Sequence, residues 1–302
     1  MTDSVQMSPT ASVLMPIYNA ERYVAGAISS ILAQTFRDFE FIIVDDGSTD
    51  QSLEIVRRFA RSDSRIRVLS RPNTGIVGAL NDGLSLARGE LIARMDADDV
   101  AYPQRLQRQV AYLSDHPECV AVGALVRCID SDGQPANIYF NLPLDHAGID
   151  SGWLMRGIGG AISHPTALLR MTALERIGGY RDVLAAEDAD LFIRLAEVGR
   201  LANVPEILLD YRVHAESITH KMRAKGELNT CAAAVAAHRR RGTRIPGALR
   251  RRYASAAIAV GDGRTARLQA WLALAGRPFS RRSWRTLSAS LFCGSPPRDS
   301  KR

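Results

Sequence analysis

Apolar residues in the first two thirds of the chain follow two alternating rhythms. Short runs that are apolar at nearly every position, SVLM (Ser12 to Met15), FEFIIVD (Phe39 to Asp45), RIRVLS and ELIARM, read as strands. Between them lie stretches with helical spacing: ERYVAGAISSILAQ sets Val24, Ala27, Ile28, Ile31 and Leu32 on one face, and SLEIVRRFA and GIVGALNDGLSLA repeat the arrangement. Polar turn text separates the elements, most clearly DGSTD after the second run. Strands apolar on both faces, alternating with helices, predict an α/β fold: a mostly parallel, Rossmann-like sheet flanked by helices.

In sheets of that kind ligands sit beyond the carboxyl ends of the strands. The acidic residues fall at those ends. Asp45 and Asp46 close the second run, while Asp96, Asp98 and Asp99 close the fourth, so two sequence-distant clusters are expected to face one crevice. Crowded carboxylates repel unless something positive sits among them. A divalent ion is the strongest answer, because Mg²⁺ and Mn²⁺ take oxygen ligands and Mg²⁺ commonly uses one or two carboxylates with substrate phosphates. Asp96 and Asp98 converge only if the chain turns there, and the alternative is an ordinary solvated, Asp-rich turn.

The order of motifs from Ala11 to His214 narrows the choice. SVLMPIYN, FIIVDDGSTD, NTGIVGALNDGL, GELIARMDADD, SHPTALLR, IGGY, AEDADLFIRL and LDYRVH occur in succession. In this order they resemble the family-two glycosyltransferases of GT-A fold, mostly inverting enzymes that use sugar nucleotides. The resemblance implies a nucleotide pocket near Pro16, Tyr18, Asp45 and Asp46, a metal-and-phosphate motif at Asp96 and Asp98, and a catalytic base in the Glu187-Asp188 pair. It also implies a nucleotide-sugar donor, UDP-linked by family tendency, and a saccharide or lipid-linked acceptor in cell-surface polysaccharide or glycolipid assembly. Acceptor contacts are expected around Asn137 to Gly160 and in the C-terminal region.

The chemistry of the individual residues is consistent with these roles, and each has a plainer alternative. Tyr18 offers a surface for a base, and the Asp46 carboxylate accepts hydrogen bonds from a uracil imide or ribose hydroxyls, with Asp96 a further ribose contact. The plainer role for Asp46 is a turn that caps the next helix, which Ser48 or Asp50 can also do. Asp188 is the favoured base at the head of EDADLFIRLAEVG, where Leu191, Ile193, Leu195 and Ala196 suggest a buried stripe; Glu187 and Asp190 are rivals, and acidic residues also suit a helix N-terminus. His214 ends a strand-like run and is a candidate third metal ligand or a polar surface residue. His164, extended before Pro165, is a candidate for the acceptor side, and Arg212 for phosphate or a structural salt bridge.

Charge divides the chain. Residues 1 to 220 hold 20 Lys+Arg against 29 Asp+Glu, while residues 221 to 302 hold 19 against 3. The text changes near Thr219 from alternating elements to Ala- and Arg-rich helix, giving an expected organisation of a disordered 1–10, a catalytic 11–219 and a basic helical 220–302. Arginine clusters interleaved with apolar and aromatic residues suit a helix lying on an anionic membrane surface; a helical subdomain with a solvated basic face is the alternative, and no nucleic-acid motif is present. Four dispersed cysteines without Cys-x-x-Cys spacing argue against a zinc site or disulfide framework. MTDSVQMSPT lacks the signal-peptide pattern, and the most apolar window is broken by Asp262, Arg264 and Arg267, so a cytoplasmic protein, peripheral on the membrane, is expected.

Three other readings are weaker. Asp96 to Val100 matches the nucleophile motif of haloacid-dehalogenase-like phosphatases, but there the motif ends the first strand. A nucleotidyltransferase needs a Gly-rich loop with a Lys near the first strand, which is missing. A catalytically silent nucleotide-binding scaffold needs a broken base or metal motif, and neither is broken.

Overall fold

The computed structural model describes residues 8–156, 161–214, 222–276, 280–291 and 293. Residues 1–7 of the expected disordered start, the boundary near Thr219 and the end of the acceptor region at 157–160 lie outside the described residues. The chain forms two compact units. The first comprises Met1–Ile149, Gly160–Asp182 and Arg194–His214; the second comprises Asp150–Gly159, Val183–Ile193 and Ala215–Arg302.

The first unit is built on one eight-stranded sheet. In chain order its elements are β1 (Ala11–Ile17), α1 (Val24–Leu32), β2 (Phe39–Asp45), α2 (Ser52–Ser62), β3 (Ile66–Ser70), α3 (Ile76–Leu86) and β4 (Leu91–Arg94). There follow β5 (Val100–Ala101), α4 (Arg105–Asp115), β6 (Cys119–Ile129), α5 (His146–Ser151), β7 (Leu168–Arg170), α6 (Met171–Ile177), α7 (Glu187–Leu195) and β8 (Arg200–Arg212), α5 and α7 running across the unit boundary. The strand order is β3-β2-β1-β4-β7-β6-β8-β5. The first four strands are parallel, as the alternating pattern predicts. Beyond β4 the sheet becomes mixed: β7 is antiparallel to both neighbours, β6 and β8 are parallel, and β5 closes the far edge antiparallel to β8.

All seven residues of β2 are buried, and the five between and around Glu40 and Asp45 are apolar, as a strand covered on both faces requires. Val13, Met15, Phe41 and Ile43 join one core with Val24, Ala27, Ile28 and Ile31 of α1, while Leu14 and Val44, pointing the other way, lie against α3. Leu32 is only half-buried, and Ser30 takes an inner position by donating to the Ala27 carbonyl. Register places the functional edge. Ile17 stands opposite Asp45, and Leu14 opposite Arg94, so β4 leaves the sheet before β1 does and the acidic turn begins in that step.

Among the described residues the second unit contains four helices after the sheet: α8 (Arg223–Arg240), α9 (Gly247–Ala259), α10 (Gly263–Gly276) and α11 (Arg281–Leu291). Each packs on the next, and their buried positions are dominated by small residues such as Ala234, Ala237, Ala254, Ala257, Ala266 and Ala270. The basic text is partly internal. Arg241 grips the Asp150 carboxylate with one nitrogen at 3.0 and 2.8 Å and donates to the Ile193 carbonyl, Arg252 pairs with Glu227 at 2.8 Å, and Arg250 and Arg251 reach Gln269 and Ser283.

At the amino end of the sheet Glu40, inside β2, accepts Ser12 Oγ and the Arg67 guanidinium at 2.7 Å each, and the Arg88 backbone N–H at 2.7 Å. Burial opposes its ionisation, but the bonds from Arg67, Ser12 and Arg88 outweigh that and hold the carboxyl below the usual range. A group whose folded-state pKa is depressed stabilises the fold above its unfolded value and ceases to do so as acid carries it through the folded one. Glu40→Gln is expected to cost about 1.5 to 3 kcal/mol at neutral pH, the worth of a hydrogen bond to a charged group. In urea denaturation the gap to wild type should be full above the ordinary glutamate value of about 4.3 and should close at lower pH.

Candidate active site

Two loops at the carboxyl edge are laced together before any ligand is considered. Asn19 adopts a left-handed conformation, φ 47°, which its short polar side chain tolerates. It then accepts the Thr49 N–H at 2.8 Å, while its own N–H donates to Ser48 Oγ at 3.1 Å. Ala20 N–H donates to Ser52 Oγ at 2.7 Å, and Glu21 N–H to Asp50 at 3.1 Å. Half-buried Pro16 is the penultimate residue of β1, paired with Val44, and 53% exposed Tyr18 follows it on a loop fixed to the segment after β2.

Asp45 and Asp46 are nearly fully buried. Asp45 accepts the Ser48 N–H at 3.1 Å and Ser70 Oγ at 2.8 Å. Asp46 accepts the N–H groups of Thr74 and Gly75 at 3.1 and 2.8 Å, with Arg71 at 3.6 Å. Asp46 thus anchors the entrance to α3 and does not cap α2, which starts after Gln51 without a side-chain cap. Gly47 makes the turn between these loops possible: its φ is +75°, and a Cβ there would meet the Asn73 nitrogen at 2.8 Å.

The acidic turn rests on two buried guanidiniums. Arg94, the last residue of β4, donates to Asp96 at 2.6 Å and to the Met95 carbonyl. Arg105, fully buried at the start of α4, donates to the Arg94 carbonyl, to Gln109 at 3.2 Å and to Met95 Sδ at 3.4 Å. Desolvation lowers its pKa to about 9 although the Asp99 charge opposes this. Above them, ligand atoms of Asp96, Asp98 and Asp99 all lie within 4.8 Å of one another. Burial, and then the charge of Asp96, raises the Asp98 carboxyl; burial, then Asp98 and Asp96, raises Asp99 much further.

The end of β8 completes this edge. Arg212 N–H donates to Asp99 at 2.8 Å, and its guanidinium spans the carbonyls of Asp98 at 2.7 Å and Asp130 at 2.8 Å while lying over the Tyr23 ring. The guanidinium groups seen bonding are therefore held by backbone carbonyls and not by a carboxylate salt bridge. His214 shares a 3.0 Å hydrogen bond with Asp98 and packs near Tyr23. His164 lies in the interior of the first unit, 8% exposed, bonded to the Tyr180 hydroxyl at 2.8 Å; burial and then Arg94 push its pKa far down, so it is neutral at pH 7.

The donor set suits a hard divalent ion. It consists of carboxylate oxygens, and Asp99 Oδ2 is buried without a hydrogen-bond partner. Arg94, Arg105, Gln109 and Tyr23 are the residues that sequence reasoning missed. A signal for one of them was present: an arginine at the end of an apolar strand, immediately before an acidic turn, needs a carboxylate nearby.

In the second unit α7 begins with half-buried Glu187 and Asp188 and buried Asp190. Asp188 accepts the Ala189 N–H at 2.7 Å. From Ala189 to Leu195 every residue is buried, so the expected stripe is a fully enclosed segment, and Ala196 lies outside the helix. The turn before α7 is clamped by α8. Ala185 is left-handed at φ 57°, Asn229 donates to the Leu184 carbonyl at 2.8 Å, and a Cβ at Gly226 would meet the Ala185 carbonyl oxygen at 2.6 Å.

A parallel sheet switching direction beside β1, with acidic turns at the switch, defines a GT-A glycosyltransferase fold. The model for Glycosyl transferase family 2 matches residues 12–178, and the chain belongs to that family. EpsE of Bacillus subtilis (strain 168), which bears a glycosyltransferase name, is 37% identical over 72% of this chain and 77% of its own length. The amylovoran biosynthesis glycosyltransferase AmsE of Erwinia amylovora is 30% identical over 70% of this chain and 79% of its own. Among solved structures, the mannosyltransferase PcManGT of Pyrobaculum calidifontis with GDP-Man and Mn²⁺ aligns with TM-score 0.64 at 22% identity, covering 95% of this chain and 80% of that one. Residues 1–349 of S. aureus TarS with UDP-GlcNAc align with TM-score 0.60 at 17% identity, covering 94% and 91%.

Removing a buried donor and leaving its acceptors unsatisfied costs about 1 to 3 kcal/mol. Arg105→Gln is expected to destabilise by about that amount because the Arg94 carbonyl and Gln109 lose the guanidinium that bonds them. Asp99→Asn, which can still accept the Arg212 N–H, should cost less, and the double variant should cost clearly less than the two separately. Additive losses in a urea double-mutant cycle would show the two residues to be independent.

Proposed function

We propose that the protein is an inverting glycosyltransferase that moves a sugar from a UDP-linked donor to a hydroxyl of a saccharide or lipid-linked acceptor, at the cytoplasmic face of a membrane. The observation that carries this reading is the Asp96-Asp98-Asp99 turn at the same sheet edge as the β1 and β2 loops, in a chain of family 2. The sugar nucleotides in the PcManGT and TarS structures support a nucleotide-sugar donor, and the amylovoran role in the name of AmsE supports polysaccharide assembly.

Tyr18 stacks on the base, and Pro16 shapes the pocket beside it. Asp45 and Asp46, whose carboxylates have lone pairs beyond those used by the loops, accept from the nucleoside, and Asp96 contacts the ribose. Asp96 and Asp98 would hold Mg²⁺ or Mn²⁺, with His214, already bonded to Asp98, as a further ligand. When bound, such an ion disperses the charge that develops on the departing diphosphate. Asp188 takes the proton of the acceptor hydroxyl, with Glu187 and Asp190 as the alternative bases. The acceptor oxygen forms its bond to the anomeric carbon as the bond to phosphate breaks on the opposite face, and the nucleoside diphosphate leaves with the electron pair. His164, 8% exposed and bonded to the Tyr180 hydroxyl, is the candidate on the acceptor side.

A panel of sugar nucleotides with Mn²⁺, read as protection against heat, tests the donor. EDTA is expected to abolish transfer, and Asp98→Asn to weaken donor binding at least about tenfold, roughly 1.4 kcal/mol, without unfolding the protein. Full activity in EDTA contradicts the metal.

Asp188→Asn is expected to lower turnover by roughly 10² to 10⁴ with donor affinity near wild type. Near-normal turnover moves the role to Glu187 or Asp190, and lost thermal stability in its place assigns Asp188 to the helix terminus alone.

A further inference from the structure

The last two helices carry large apolar residues on their outward sides. α10 buries Ala266, Gln269, Ala270, Ala273 and Leu274, while Arg264, Leu268 and Trp271 are exposed. These recur at helical spacing, so they share one side. α11 buries Ser283 and Ser290 and exposes Trp284, Arg285 and Leu291, with Arg281 and Arg282 exposed at its start. A helix facing water buries its large apolar residues and shows its small polar ones. Here the inner positions are mostly small, with Leu274 and Gln269 the larger ones, and tryptophans 59% and 53% exposed are outside.

We propose that the outward sides of α10 and α11 are the surface by which the protein lies on an anionic lipid bilayer. This rests on the reading of a membrane-surface transferase and assigns the contact. Three observations select lipid. Neither helix contains an acidic residue; Asp262 precedes α10 close to Arg264, but Arg281, Arg282 and Arg285 present one sign of charge. Tryptophan among arginine and leucine matches an interface that is apolar below and charged above. No helix among the described residues is long and apolar enough to cross a membrane, so the contact lies along the surface. The arginine runs at 239–241 and 250–252 carry less of it: Arg241, Arg250, Arg251 and Arg252 are engaged within the second unit.

The chain supplies its own probe. Of three tryptophans, Trp153 is buried and Trp271 and Trp284 face out. Vesicles containing phosphatidylglycerol, added to the full chain, are expected to blue-shift its emission, brominated lipid to quench it, and rising salt to reverse both; pure phosphatidylcholine should do neither. With each arginine worth about fivefold, the quadruple variant Arg264→Gln, Arg281→Gln, Arg282→Gln, Arg285→Gln should bind anionic vesicles at least about a hundredfold more weakly. Trp271→Gln with Trp284→Gln should also lose co-sedimentation without loss of melting temperature. Wild-type binding by either folded variant, an equal response to neutral vesicles, or a response to an RNA oligonucleotide in place of vesicles overturns the proposal. Heat protection by the sugar nucleotide is read in parallel on every variant, so failed lipid binding with intact donor binding counts against this surface alone.

Discussion

Asp99 is fully buried with one oxygen on the Arg212 N–H and the other without a hydrogen-bond partner, and Asp96 and Asp98 crowd it. In a low-dielectric interior such an arrangement is unstable alone, because both desolvation and like-charge repulsion disfavour the ionised forms. Arg94 and Arg105 make it possible. Their forked guanidinium donors hold Asp96 and the carbonyl that ends β4. A lysine could supply charge at either place but not several fixed bonds. The turn is therefore shaped by cations beneath it and still leaves carboxylate oxygens directed elsewhere, the condition that a site for a further cation requires.

The rest of the edge follows from that anchor. After Asp99 the chain passes into β5, which pairs with β8, and β8 delivers Arg212 and His214 back to the turn. On the other side, β1 outlasts β4 and carries Tyr18 on a loop whose conformation depends on Ser48, Thr49 and Asp50 of the β2 loop. Substituting one of these small polar residues removes a bond between loops, so its effect should reach the position of Tyr18 without any contact to it.

The parallel half of the sheet was legible because β1 and β2 are buried on both faces and so contain little but apolar residues. The acidic positions were legible for a related reason: parallel strands bring all their carboxyl ends to one side. β5 and β7, two and three residues long, are too short to carry a period, and the antiparallel insertion of β7 leaves no local trace. Side-chain partners were harder still. Asp46 reaches Thr74 and Gly75, 28 and 29 residues away, and turn text before α2 suggests a local cap that the distant N–H groups outcompete. His164 reads as a polar residue before a proline, and only the packed structure shows its ring enclosed with Tyr180.

Arginine illustrates the limit of composition most clearly. The C-terminal surplus of basic residues suggests one uniform charged surface, yet the same residue type serves two opposite purposes in the second unit. Arg241 holds Asp150 and the Ile193 carbonyl, and Arg252 pairs with Glu227, so their charge is balanced inside the fold. Arg281, Arg282 and Arg285 stand outside with exposed Trp284 on a helix that contains no carboxylate. Net charge counts both groups equally. What separates them is whether a carbonyl or carboxylate comes within reach of the fork, and that depends on how α8 to α11 stack on one another. A binding surface inferred from charge alone would therefore have included arginines that are already part of the structure, and the large apolar residues exposed on α10 and α11 are the observation that separates the two groups.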